Sequence, residues 1–261
     1  GMYLSVAQGE AFGLLGANGA GKTSLFKMMS GLEGISEGKA YINGIDVSRS
    51  RSAAQRSLGL CPQFDTLIER LTVHENLLYF AKIKGLYSES AAKESVSLFM
   101  RAMDITRYQT MRVQQLSGGN RRKVSLIVAL LGAPATLFLD EPSTGLDPVA
   151  SRMMWNLLSR VRATNKCAII LTTHNMLECE AVCNRVGIMS AGRLVALGNC
   201  QHLRSIDGAT YLLEINISIS ADPSKDDSQM RTSTSRRGSV SEDQLTARVG
   251  EVKRFVAATF P

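Results

Sequence analysis

Apolar positions along this chain recur with two periods, and the alternation between them predicts an α/β protein. Residues 12–15 are continuously apolar, as a strand buried on both faces requires, and a glycine-rich stretch follows them. Directly after it, Leu25, Met28, Met29 and Leu32 stand at i, i+3, i+4 and i+7, which predicts a helix over residues 23–32 with these four on its inner face. Residues 3–6, ahead of Gly9-Glu10, read as a strand entering a turn. Asn43-Gly44 suits a tight primed turn, so residues 39–47 predict a hairpin, and residues 57–61 a further strand.

The stretch 64–115 is mostly helical in pattern, with Val96, Phe99, Met100 and Met103 at helical spacing, and reads as an all-helical insertion. Val124, Ile127, Val128 and Leu131 form another helical face, and residues 136–139 a buried strand. Asp147 can cap a helix opened by Pro148 at its first position, with Met154, Leu157, Leu158 and Val161 toward the core. Residues 166–173 are again a buried strand. Buried strands alternating with amphipathic helices imply a mainly parallel sheet covered on both faces. Residues 220–243 turn to Ser, Asp, Arg and Thr with almost no apolar content, the signature of a disordered linker, and a helical pattern returns over residues 244–260.

Composition narrows the classes without choosing one. At 44% hydrophobic residues the chain has ordinary globular content. The net charge of +7 comes from basic residues spread along the chain, with short runs at Arg121-Arg122-Lys123 and Arg236-Arg237 and no accompanying aromatic set. That pattern argues against nucleic acid as a partner and fits a modest contribution to a membrane surface. The five cysteines are scattered and odd in number, and Cys179 and Cys183 have no second pair to complete a zinc site, so all read as reduced thiols. The apolar stretch 124–139 is broken by Gly132 and Pro134 and ends in two carboxylates, which reads as helix, turn and strand rather than a membrane span.

Three motifs carry chemistry. Gly16-Ala17-Asn18-Gly19-Ala20-Gly21-Lys22-Thr23 fits G-x-x-x-x-G-K-[ST], a loop whose amides surround nucleotide phosphates at a helix N-terminus. Gly16, Asn18, Gly19, Ala20, Gly21, Lys22, Thr23 and Ser24 are therefore the candidate ATP-binding residues, with Lys22 reaching the β- and γ-phosphates and Thr23 a ligand of Mg2+. Leu137-Phe138-Leu139-Asp140-Glu141 is an apolar strand ending in two carboxylates, where Asp140 serves the metal and Glu141 polarises the attacking water. The third, Leu116-Ser117-Gly118-Gly119-Asn120, places a hydroxyl and two glycine amides at a helix N-terminus and so forms a second anion site.

With that third motif the chain resembles the ATP-binding cassette (ABC) family, whose signature is LSGGQ. The resemblance runs over roughly residues 5–205. It implies a P-loop NTPase of ABC type: a mainly parallel sheet with flanking helices, a small antiparallel β part that is N-terminally incomplete, and an inserted α-helical subdomain. Gln63 matches the glutamine that ligates magnesium and senses the γ-phosphate. His174, after Thr172-Thr173, matches the switch histidine. Ser143-Thr144-Gly145-Leu146-Asp147 resembles the loop that couples two sites across a dimer, with Asp147 as its coupling residue.

In the family, Ser117, Gly118, Gly119 and Asn120 of one subunit close over the ATP held by the other, which implies a head-to-tail pair with a second nucleotide-binding domain, on the same polypeptide or in a homodimer. Transmembrane domains are the other implied partner, on the cytoplasmic face of a membrane. Within the family the likeness is to the A subfamily of lipid exporters, on residues 13–19, 117–123 and 174–181. Asn120 departs from the final glutamine of the general signature, and that subfamily tolerates it. The aromatic residue that stacks on adenine lies upstream in the family, and Tyr3 stands too close to the phosphate loop to match it.

These readings divide the chain into an ATPase domain over residues 1–219, with a helical subdomain at 64–130, a linker at 220–243, and the start of a truncated regulatory segment at 244–261. In the linker, Arg236-Arg237-Gly238-Ser239 is an arrangement favoured by basic-directed kinases. Soluble cassette ATPases of DNA repair or translation share the nucleotide chemistry, but the insertion here is short and lacks the sustained heptads of the repair type's coiled coil, and translation types carry paired cassettes and basic linkers. A nucleotide-binding module without catalysis is disfavoured by the presence of Lys22, Asp140, Glu141 and His174 together.

Overall fold

A computed structural model describes residues 2–201 and residue 203; the linker, the C-terminal segment and Ser239 lie outside the described residues. A six-stranded sheet runs in the order β4-β5-β6-β1-β7-β8, built from β1 (Ala11–Leu15), β4 (Leu58–Cys61), β5 (Thr136–Asp140), β6 (Ala168–Thr173), β7 (Arg185–Ser190) and β8 (Arg193–Gly198). The first five in this order pair in parallel, and β8 alone turns back antiparallel along β7. β2 (Tyr41–Ile42) and β3 (Ile45–Asp46) make a separate antiparallel hairpin, and Asn43 and Gly44 turn with φ of 50° and 80°, the two positive values a type I′ turn needs. The sheet is therefore mainly parallel, as the alternation of buried strands and amphipathic helices implied.

The helices follow the sequence pattern with informative exceptions. α1 (Lys22–Met29) stops at Ser30, because Gly31 takes φ 72° there. Leu32 consequently falls outside the helix and is exposed, and the inward residue of α1 is Phe26, which meets Phe138 of β5 edge to face at 5.3 Å. Residues 3–6 are not a strand: among the described residues no neighbouring strand pairs with them, although the Arg185 side chain donates to the Ser5 carbonyl. The sequence pattern also missed α2 (Arg51–Arg56), a six-residue helix too short for a recognisable period.

The insertion forms α3 (Val73–Ile83), α4 (Glu89–Ala102) and two single 3-10 turns, followed by α5 (Gly118–Leu130). Thr72 and Glu75 close a reciprocal capping box on α3. Val96, Met100 and Met103 are buried as expected, in one continuous core with Leu77, Val124, Ile127 and the strand residues Leu137, Leu139 and Ile169. α6 (Pro148–Asn165) and α7 (Met176–Val182) complete the fold, with Met154, Leu157, Leu158 and Val161 facing inward as predicted. None of the described helices is long and apolar enough to cross a membrane.

Candidate active site

Every parallel strand ends at the same edge, so the loops after β1, β4, β5 and β6 converge there, the usual place for ligands on such sheets. The loop after β1 is the glycine-rich one. Gly19 and Gly21 take φ of 80° and 98°, conformations that cost a side chain and that turn successive amides to one side. Gly16 is glycine for a different reason: a Cβ there would sit 2.5 Å from the Met189 carbonyl oxygen. Lys22, almost fully buried, donates from Nζ to the carbonyls of Gly16 at 2.7 Å and Ala17 at 3.0 Å, lying across the loop it closes. Asn18, Gly19 and Ser24 are exposed and Thr23 is half-buried. The loop is thus an open cradle of amides around one ammonium group, which suits polyanionic phosphate.

Asp140 ends β5 and is 3% exposed. The neighbouring strand β6 supplies Thr172, whose hydroxyl donates to Asp140 Oδ1 and accepts the Glu141 amide at 3.1 Å. Glu141 is the first residue past the strand and holds φ 46°, a left-handed backbone that costs a non-glycine residue energy and must be enforced by its surroundings. Its carboxylate lies 3.5 Å from His174 Nδ1 and accepts from the Thr144 hydroxyl at 3.2 Å. His174 itself is exposed. The expected set of Lys22, Asp140, Glu141 and His174 is therefore gathered on adjacent strand ends, with α1 tied to β5 through Phe26 and Phe138. Asp140, Thr23 and exposed Gln63, which follows β4 beside β5, offer oxygen donors of the hard type magnesium prefers.

Ser117 caps α5, its hydroxyl accepting from the Asn120 amide at 3.4 Å, and Ser117 and Gly118 are exposed. Gly119 sits against the 143–147 loop: a Cβ on it would lie 2.9 Å from the Gly145 carbonyl oxygen. Among the described residues, no hydrogen bond joins residues 117–120 to the phosphate loop. Asp147 caps α6 by accepting the Ala150 amide at 2.9 Å, a bond that also holds its carboxyl below the usual range. Tyr3 is 94% exposed and stacks on no other ring among the described residues.

Three contributors were not visible as site residues in the sequence. Thr172 is one. Glu178 of α7 is fully buried and accepts from the Ser143 hydroxyl at 2.9 Å; burial pushes its carboxyl up, offset in part by Thr173, Ser143 and Trp155. Arg122 is the third. It belongs to the short basic run Arg121-Arg122-Lys123, yet it is 4% exposed and shares its helical face with buried Ser125, Leu126 and Ala129 at i+3, i+4 and i+7.

Against this geometry, a family model described as "ABC transporter" matches residues 1–144. The chain belongs to the ABC transporter family. Among curated proteins, the ABC domain described here is 44% identical over 214 residues to the mouse protein named "Phospholipid-transporting ATPase ABCA3", covering 82% of this chain and 12% of that relative. It is also 44% identical to the human "ATP-binding cassette sub-family A member 2", over 82% of this chain and 9% of the relative. The A-subfamily likeness is thus borne out, and the chain spans about an eighth or less of those relatives' length. A solved "ATP binding subunit of ABC transporter" aligns with TM-score 0.72 and 29% identity over 78% of this chain and 85% of that one. A dimeric ATP-binding cassette bound to ADP and Pi, 22% identical with TM-score 0.70 over 76% of this chain and 88% of that one, shares the fold. This chain is an ABC ATPase domain.

Proposed function

We propose that this ABC domain hydrolyses ATP as one half of a head-to-tail nucleotide sandwich and drives a membrane exporter of lipids or other amphipathic molecules. The observation that carries the reading is the juxtaposition of the buried Lys22 cradle with Asp140, Glu141 and His174 at neighbouring strand ends. Lys22 exchanges its two carbonyl partners for phosphate oxygens when the loop fills. Glu141, fixed by its backbone and 3.5 Å from His174, orients and polarises the attacking water while His174 contacts the γ-phosphate. Thr23, Gln63 and Asp140 would hold magnesium, which when bound would supply charge neutralisation at the phosphate oxygens.

The helix start at Ser117, Gly118 and Gly119, exposed at its first two residues and unconnected to the phosphate loop among the described residues, supports completion of the site by a second domain. In this reading Asp147 and the 143–147 loop, against which Gly119 lies, relay the state of one site to the other. The segment 64–130 acts as the arm toward transmembrane domains, and the domain lies on the cytoplasmic face of their membrane. The names of the A-subfamily relatives support lipid as cargo.

The test is equilibrium binding and turnover. MgATP binds the parent chain and is hydrolysed; Lys22→Ala loses tight binding, and Glu141→Gln retains binding with hydrolysis reduced by about 10²-fold or more. ATP affinity undiminished in Lys22→Ala means that the phosphate loop is misassigned.

A further inference from the structure

Arg122 carries a positive charge into the interior with little to neutralise it. Among the described residues its one carboxylate partner, Asp65, stands at 3.5 Å, and the remaining partners are main-chain carbonyls. Nη1 donates to the carbonyls of Pro62 at 2.5 Å and Gln63 at 3.3 Å. Nη2 donates to those of Asp140 at 2.5 Å and Glu141 at 2.9 Å, and Nε to that of Pro142 at 3.2 Å. A guanidinium has five N–H groups in a rigid fork, so this one is fully committed across two loops.

Those two loops are the ones that bear Gln63 and Glu141, and the helix that bears Arg122 begins with Ser117, Gly118 and Gly119. One side chain therefore joins three parts of the nucleotide machinery while touching none of the residues of the phosphate loop. A second, separate observation concerns Glu141. Its φ of 46° is an unfavourable conformation that relaxes unless both sides are held, and Thr172 grips its amide from β6 while Arg122 grips its carbonyl from α5.

We propose that Arg122 is a positioning residue for hydrolysis: through it the signature helix α5 sets the placement of the Gln63 segment and of the Glu141 carboxylate. The inference rests on the catalytic role proposed for Glu141. Its consequence is a separation of binding from chemistry. The Lys22 cradle is built on β1 and α1 and does not depend on the Arg122 fork, so ATP still binds when the fork is lost. The water-directing carboxylate is displaced, and displacements on the order of 1 Å in a reacting group cost about 10²-fold in rate.

Arg122→Lys keeps the charge but has one nitrogen in place of three and cannot span both loops. In the full chain with MgATP, kcat falls about 10- to 100-fold, while ATP binds with unchanged one-to-one stoichiometry and a Kd within about threefold of the parent. A residue that merely maintained the fold would lower binding stoichiometry in step with turnover. Asp65→Asn reads the same link more gently and covers a lysine variant that does not fold: it withdraws the Asp65 carboxylate from the guanidinium, and kcat drops about threefold at constant ATP affinity. A folded Arg122→Lys variant with parental kcat, or affinity and kcat falling together, overturns the proposal, as does unchanged kcat in Asp65→Asn. A parent chain that binds ATP without turning it over sinks the catalytic reading along with it, whereas an active parent with indifferent variants sinks this inference alone.

Discussion

Thr172→Val tests whether the hydroxyl between the two carboxylate residues stabilises the nucleotide-free domain. Threonine and valine are close in shape, so at a position with no exposure the swap changes hydrogen bonding more than volume. What it removes is a donor to Asp140 Oδ1, and hydrogen bonds to charged groups contribute about 1.5–3 kcal/mol. The accepting side matters less, because the Glu141 amide also donates to the Thr172 carbonyl at 3.0 Å and keeps that partner. The added methyl returns up to about 0.8 kcal/mol of apolar burial. The net cost is then about 1–2 kcal/mol, or a fall in Tm of roughly 2–8 °C for a domain of this size. Urea denaturation without nucleotide measures it. In an Asp140→Asn background the acceptor is neutral, its bond is worth about half, and the same swap costs correspondingly less. A Thr172→Val cost below about 0.5 kcal/mol, or an equal cost in both backgrounds, refutes the reasoning.

Glu178 gives the fold a pH dependence of defined sign. Burial raises its carboxyl above 4.5, so above that pH the folded chain retains a proton that the unfolded chain releases, and stability is lost as pH rises through the window up to the raised value. Glu178→Gln keeps the Ser143 partner without the charge; its stability advantage over the parent by urea denaturation is larger at pH 7.5 than at pH 4.5, and the opposite trend contradicts the assignment. Gly16→Ala drives a Cβ to within 2.5 Å of a main-chain carbonyl, and is expected to cost about 1–3 kcal/mol while displacing a carbonyl partner of Lys22, so that melting temperature and ATP affinity both fall. Parental values of both would show that the loop has room.

The parts of this domain legible in the sequence were those encoded by local chemistry. The phosphate loop, the strand into Asp140 and Glu141, the Asn43-Gly44 turn and the Asp147-Pro148 helix start each need particular residues at fixed spacing, and each stands where expected. Long-range relations were not legible. Apolar residues at 25, 28, 29 and 32 met the helical template, yet the Gly31 turn ended the helix and Phe26 became its buried residue. β7, β8 and α7 passed unread: β8 is an antiparallel edge strand with exposed Val195 and Leu197, and α7 spans only seven residues. Thr172, Glu178 and Arg122 acquire their significance from partners 32, 35 and up to 60 positions away, which no window of sequence contains.

The claim on which the account turns is that Ser117, Gly118 and Gly119 of one domain close over the ATP held by Lys22, Asp140 and Glu141 of another. Light scattering of Glu141→Gln with and without MgATP measures it directly, because removing the carboxylate that polarises water lets the sandwich accumulate. ATP is expected to double the scattering mass of that variant, and the additional change Ser117→Arg, which crowds the second anion site, to return it to monomer while ATP remains bound. A Glu141→Gln chain that binds ATP yet stays monomeric at high concentration, or a dimer indifferent to Ser117→Arg, would contradict it.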